Sequence, residues 1–138
     1  MSGSVITAAD RALLAEACAL ARRSVGPARE RAGAIAVTRD GVSFPGVAVQ
    51  IPGSPALSVC AVPAALGAAR AGSSEPVATL ALWIPATASG QPCGLCLQVW
   101  RELAPEARFL FQREAGEPQV LALAERLPDP FTHFEPTA

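Results

Sequence analysis

The sequence of 138 residues contains no asparagine, no tyrosine and no lysine, and only 5% of its residues are aromatic. Its 11 basic residues are therefore all arginines, and they nearly balance 12 acidic residues. Surfaces that bind single-stranded nucleic acid combine basic with aromatic side chains. The densest group of arginines has no aromatic residue within it, so no nucleic-acid partner is predicted, and a solvated helix end with its loop is the simpler interpretation. This group consists of Arg22, Arg23, Arg29 and Arg31.

Two further absences concern membranes and export. No apolar run reaches the ~18 residues that a membrane-spanning helix needs. The first six residues show no basic segment followed by an apolar core, so no secretory signal is predicted and a cytoplasmic location is expected. The length and the 51% of hydrophobic residues favour one folded domain over residues 1–138, with loose tails at 1–6 and 132–138. In a reducing compartment, four cysteines favour a metal site or free thiols over disulfides.

The hydrophobic spacing predicts helices that alternate with buried strands. The predicted strands are 32–38, 44–50, 77–84, 108–112 and 119–123, and the predicted helices are 7–23, 61–71 and 93–103, with one turn at 124–127. Such alternation is typical of an α/β protein whose sheet is covered by helices on both faces.

Three of the cysteines indicate a metal site. Cys60 precedes one predicted helix, and 33 residues later Cys93 and Cys96 begin another, directly after Pro92. A Cys-x-x-Cys pair alone is weak evidence, because it also occurs as a redox pair, as a buried pair or by chance. The preceding proline, the helix that follows and the third cysteine at this distance make the pattern more specific. Three thiolates can hold one Zn²⁺, so Zn²⁺ is the predicted cofactor, with metal-free thiols or a disulfide as alternatives.

This arrangement resembles the zinc-dependent cytidine deaminases, in which a metal ligand, one residue and a Glu are followed by Pro-Cys-x-x-Cys. The similarity extends to the hairpin at 39–41 with Gly46 and to the ending at 127–131, and covers about residues 8–131. The relatives are the small cytidine deaminases and the blasticidin-S deaminases, which act on free nucleosides. The resemblance implies a three-layer α/β/α sandwich with a five-stranded mixed sheet. It also implies a homo-oligomer, either a dimer or a tetramer, and the zinc ligands Cys60, Cys93 and Cys96.

The sequence departs from this family at the positions that perform the chemistry. The family's catalytic Glu, which transfers protons and is not a zinc ligand, is replaced by Val62. The arginines that usually follow the two ligand motifs are replaced by Pro63 and Leu97. The family's Asn-x-Glu contact with the ribose has no asparagine to form it, and Gln50 is the candidate substitute for substrate binding. Without these groups, the zinc is expected to support structure rather than hydrolysis.

The departures predict a zinc-binding homologue that has lost cytidine deamination, a pseudoenzyme that serves as a binding or partner subunit for a small molecule or another chain. The alternatives are a zinc-dependent hydrolase or lyase in a biosynthetic pathway, acting on a different small molecule, and a divergent nucleoside deaminase. Glu30 and His133, the only histidine, are the candidate proton-transfer residues for these activities. The simpler interpretations are a surface carboxylate paired with Arg29 or Arg31, and an exposed tail residue. A pocket filled by apolar side chains would favour the pseudoenzyme, and a polar pocket the enzyme.

Overall fold

The computed structural model describes residues 5–86 and 92–132, so the tails expected at 1–6 and 132–138 fall mostly outside it. The helices are α1 (Ala8–Ala21), α2 (Ala61–Gly72), α3 (Gly94–Leu103) and α4 (Leu123–Arg126), and short 3₁₀ turns span Ala28–Glu30 and Pro55–Leu57. The strands are β1 (Gly33–Thr38), β2 (Ser43–Val47), β3 (Val77–Ile84), β4 (Arg108–Arg113) and β5 (Gln119–Leu121). Within the described ranges, none of the helices is long and apolar enough to cross a bilayer.

The five strands form one mixed sheet in the order β2-β1-β3-β4-β5. Only β3 and β4 pair in parallel, and the other neighbours are antiparallel. A parallel pair needs a crossover connection, which α3 supplies between β3 and β4. The prediction of a five-stranded mixed sheet is confirmed.

Helices cover both faces of this sheet. Along β3, Leu80 and Leu82 belong to the large buried cluster under α2 and α3, whereas Ala81 packs with Leu14 of α1. This alternation follows from the two-residue period of a strand, which directs successive side chains to opposite faces. The predicted α/β/α sandwich is therefore confirmed, with α1 as one layer and α2 and α3 as the other.

The second strand ends earlier than predicted, at Val47 rather than at residue 50. Beyond that point Val49 leaves β1 and forms isolated bridges with Val25 and Val59. The N–H of Val49 donates to the Val59 carbonyl at 2.9 Å, and the N–H of Gln50 donates to the Val25 carbonyl at 2.8 Å. The residues stay extended and half-buried, so their pattern resembles a continuing strand although their partners change.

An ion pair with a nearly buried carboxylate fixes α1 against β4. The Nη1 of Arg108 donates to Oδ1 of Asp10 at 2.7 Å, and the Asp10 side chain is only 10% exposed. Hydrogen bonding to Arg108 holds the pKa of Asp10 below its usual value, although burial opposes this. Asp10 also forms the capping box of α1, since its Oδ2 accepts from the N–H of Thr7 at 2.8 Å. One carboxylate therefore sets both the start of α1 and its position on the sheet.

The helix that follows the first candidate ligand packs directly on the backbone of β2. A Cβ atom at Gly46 would lie 2.4 Å from the backbone nitrogen of Ala65 and 2.5 Å from the carbonyl oxygen of Ala61. No side chain fits there, because backbone atoms cannot rotate away. Since Ala61 follows Cys60, this close approach helps to position the thiol at the start of α2.

We expect Gly46→Ala to lower the free energy of unfolding by about 1–3 kcal/mol, the usual cost of overpacking a close contact. The matched control is Gly67→Ala on α2, where an added Cβ meets nothing within 4 Å. That change should leave stability unchanged or raise it by up to about 1 kcal/mol, because alanine is the better helix former. Urea denaturation of both variants measures the difference, and equal effects would contradict the close packing of α2 on β2.

Candidate metal centre

The sheet brings the ends of two strands and the starts of two helices to one edge. Gly33, the first residue of β1, pairs with Val47 at the end of β2 and with Trp83 near the end of β3. Because β1 is antiparallel to both neighbours, β2 and β3 run in the same direction. After β2 and after β3 the chain leaves the sheet at this edge and continues into α2 and α3, respectively. The edge at the carboxyl ends of the strands is the usual place for ligand sites in α/β proteins.

The three candidate ligands meet at these helix starts. Cys60 is the N-cap of α2, Cys93 is the N-cap of α3, and Cys96 lies in the first turn of α3. Their Sγ atoms all lie within 4.8 Å of one another, and those of Cys93 and Cys96 are 3.5 Å apart. A tetrahedral zinc with Zn–S bonds of about 2.3 Å needs sulfur atoms about 3.8 Å apart, so the donor set fits this ion. All four cysteines of the chain are free thiols, in contrast to the disulfide alternative.

The cluster already favours negative charge on one sulfur. Hydrogen bonds from Cys96 and Cys93 lower the pKa of Cys60 to about 6, although burial and the charge of Glu30 act to raise it. The hydrogen bond to Cys60, together with burial, raises the pKa of Cys96. The positive ends of α2 and α3 point at the same place and stabilise anions there. The arrangement can therefore supply thiolates to a cation. The thiolate is the form of cysteine that binds zinc.

The three residues predicted to stand in place of polar groups, Val62, Pro63 and Leu97, are apolar, and two of them are buried. Val62 is 0% exposed and Leu97 is 6% exposed, and both belong to the same buried cluster as Cys96. Pro63 occupies the first turn of α2, where it is half-buried. Neither α2 nor the first two turns of α3 contains a carboxylate. Val62 and Leu97 therefore contribute hydrophobic packing beside Cys96, and the replacement of one proton-transfer group and two cations at the three positions stays a prediction.

The remaining candidate residues have different surroundings. Glu30 lies in the 3₁₀ turn before β1, its side chain is 40% exposed, and its Oε1 is 3.9 Å from Nε of Arg29. This agrees with the simpler interpretation of a surface carboxylate, but its charge also acts on Cys60. Gln50 is half-buried and packs its Cβ and Cγ against Gly26. His133 lies outside the described residues.

Solved structures resemble the chain, whereas no protein-family model and no curated protein matches it. The cytidine deaminase from Burkholderia pseudomallei is 32% identical, with a TM-score of 0.77 over 88% of this chain and 98% of that one. The cytidine deaminase from Mycobacterium tuberculosis is 26% identical, with a TM-score of 0.69 over 89% of this chain and 97% of that one. A dCMP deaminase from the cyanophage S-TIM5 shares the fold alone, at 19% identity and a TM-score of 0.54 over 75% of this chain and 81% of that one.

Proposed function

The chain belongs to the cytidine deaminase family, and from this premise we propose that it is a zinc-binding member that has lost cytidine deamination and acts as a binding or partner subunit. The observation that carries the proposal is the burial of Val62, which is 0% exposed in the hydrophobic core. The family's proton-transfer residue would stand at this position. A valine held in the core neither accepts nor donates a proton.

The loss matters because deamination moves protons at the substrate ring. A positioned general acid or base contributes typically ~10²–10⁴-fold to a rate. The two helices that begin at the cysteines offer no carboxylate near their starts that replaces it.

Cys60, Cys93 and Cys96 are the residues that would hold the zinc. When bound, the ion supplies Lewis acidity and, in a structural site, folding free energy. Three thiolates around Zn²⁺ give a formal charge of −1, which the two helix starts, each equivalent to about half a positive charge, offset. Pro63 and Leu97 add no positive charge, so the surroundings favour a structural ion over a hydrolytic one.

The chain also lacks the family's contacts with a nucleoside. It has no asparagine for the ribose, and no aromatic residue occurs from Val5 to Val42 to pack on a pyrimidine. Gln50 is the one polar side chain that we assign to ligand binding there. The proposal includes a homo-oligomer, as the resemblance implies, and a cytoplasmic location.

The direct test is an ultraviolet assay of the zinc-loaded protein with cytidine and deoxycytidine. We expect no turnover, because proton transfer and substrate contacts are lost together. An active cytidine deaminase serves as the positive control, with turnover on the order of 1–10³ s⁻¹ for an ordinary enzyme. Turnover in that range by this chain would overturn the proposal.

A zinc-dependent hydrolase or lyase is the second candidate, because the charge of Glu30 reaches Cys60 from the neighbouring turn. A thermal-shift screen of small molecules, followed by product analysis of each hit, separates the two functions. A hit that is chemically converted, and whose conversion is lost in Glu30→Gln but not in Glu75→Gln, would favour the enzyme. A hit that binds without conversion favours the binding subunit.

A further inference from the structure

A cavity lies at the same edge of the sheet as the three clustered cysteines but on the opposite face. Its volume of about 380 Å³ falls within the range of small-molecule sites. The end of α1, the Ala28–Glu30 turn, the end of β3 and the residue after β4 form its walls. The side chains that matter are Cys18, Arg22, Arg31, Trp83, Pro85 and Glu114.

The strand geometry separates this cavity from the metal centre. Leu82 and Ile84 flank Trp83 in β3, and both belong to the core under α2 and α3. Alternation therefore directs Trp83 to the face that α1 covers. Its β1 partner is Gly33, where a Cβ atom would lie only 2.0 Å from the carbonyl oxygen of Ala17, so α1 lies very close to the sheet there. Because α1 ends at Ala21, the indole beyond it stays half exposed.

The cavity contains two arginine cations. The side chains of Arg22 and Arg31 form no ion pair or hydrogen bond with the part of the chain that the structure describes. Glu114 also lines the cavity, but its Oε2 already accepts from the N–H of Ala86 at 3.1 Å. The lining therefore has a net charge of +1, from two arginines and one glutamate. That charge matches a monoanion.

We propose that this cavity binds a small aromatic carboxylate, with its ring on Trp83 and its carboxylate held by Arg22 and Arg31. The planar guanidinium group matches a carboxylate through two parallel hydrogen bonds. The half-exposed indole offers an apolar face for ring stacking, and the buried Pro85 also lines the cavity. Of the four clustered arginines that the sequence analysis interprets as a solvated helix end and loop, Arg22 and Arg31 line this cavity, whereas Arg23 and Arg29 do not.

The two tryptophans of the chain permit a direct measurement by NMR. Trp100 is 2% exposed and its indole N–H donates to the Ala107 carbonyl at 3.3 Å, so its resonance serves as an internal reference. Titration of the zinc-loaded protein with sodium benzoate should shift the indole resonance of Trp83 saturably and leave that of Trp100 in place. No saturable shift at millimolar benzoate would overturn the proposal.

The arginines are tested with a matched control. Arg22→Gln and Arg31→Gln should each weaken benzoate binding by at least about tenfold, since charge-assisted hydrogen bonds are lost. Arg23→Gln removes the same charge from the next residue, which lines grooves elsewhere, and should change the affinity by less than about twofold. An equal loss in Arg23→Gln would show only a general charge effect and would overturn the assignment.

Two further measurements fix the ligand chemistry and avoid substitutions. Benzyl alcohol should not bind, because it has no carboxylate for the arginines to hold. Binding of benzyl alcohol as tight as that of benzoate would overturn the carboxylate assignment. Benzoate should also slow alkylation of Cys18 in the zinc-loaded protein, measured by mass spectrometry of the Cys18 peptide. Unchanged alkylation at saturating benzoate would place the ligand outside this cavity.

Discussion

We expect Cys96→Ser to bind no zinc and to lose a large part of the protein's stability. Cys96 is buried, and its Sγ lies within 4.8 Å of those of Cys60 and Cys93. Among the described residues, no fourth Cys, His, Asp or Glu joins this cluster to replace it. A metal that binds only the folded state stabilises it by about 4 kcal/mol when its free concentration is a thousand times its dissociation constant. For a domain of this size, that loss corresponds to a fall in melting temperature of about 10–20 °C. Elemental analysis and calorimetry measure the two effects.

Cys18→Ser is the matched control for this experiment. Cys18 is also a free cysteine, but it lies in α1, away from the three clustered sulfur atoms. The Cys18→Ser variant should retain one equivalent of zinc per chain. A chelator should lower the melting temperature of the unaltered protein but not that of Cys96→Ser, which separates metal loss from packing loss. Full zinc content in Cys96→Ser or Cys93→Ser would contradict the assigned ligands.

Val62→Glu will destabilise the fold and will not produce a cytidine deaminase. The valine is completely buried with Ala65 and Leu66, so the larger side chain overpacks the core. The carboxylate also loses its hydration without a described partner on α2. Together these effects should cost on the order of 3–5 kcal/mol. Activity should stay absent, because Pro63 and Leu97 supply no cation and the ribose contact has no asparagine.

Two variants separate the causes of this effect. Val62→Gln adds nearly the same volume without the charge, so it isolates the cost of overpacking. Gly67→Glu places the same carboxylate on the open side of α2, where nothing lies within 4 Å of an added Cβ, and should change stability little. Urea denaturation and the ultraviolet assay apply to all three. A stable Val62→Glu protein that deaminates cytidine would show that the rest of the deaminase site is intact, and would reduce the proposed loss to one side chain.

The sequence by itself determined the layers of this protein and the identity of its candidate ligands. Alternating strands such as β3 and turn signals such as Gly41 depend on residues close together in the chain, and the structure agrees with them to within a few residues. The spacing of Cys60, Cys93 and Cys96 predicted one cluster, since each thiol is tied to the start of a helix. These features are local, or they follow a family pattern that the residues carry themselves.

The tertiary structure alone decided which distant segments meet. The early end of β2 depends on Val25 and Val59, which give Val49 new partners, and no local pattern shows this. The sequence also does not show which face of α2 packs into the core, and therefore does not show that Val62 is buried. Trp83 joins Arg22 and Arg31 only because α1 lies close to the sheet at Gly33 and ends beside β3. The physical reason is the same each time: contacts between residues far apart in the chain are set by how helices and strands pack, and packing depends on the whole core.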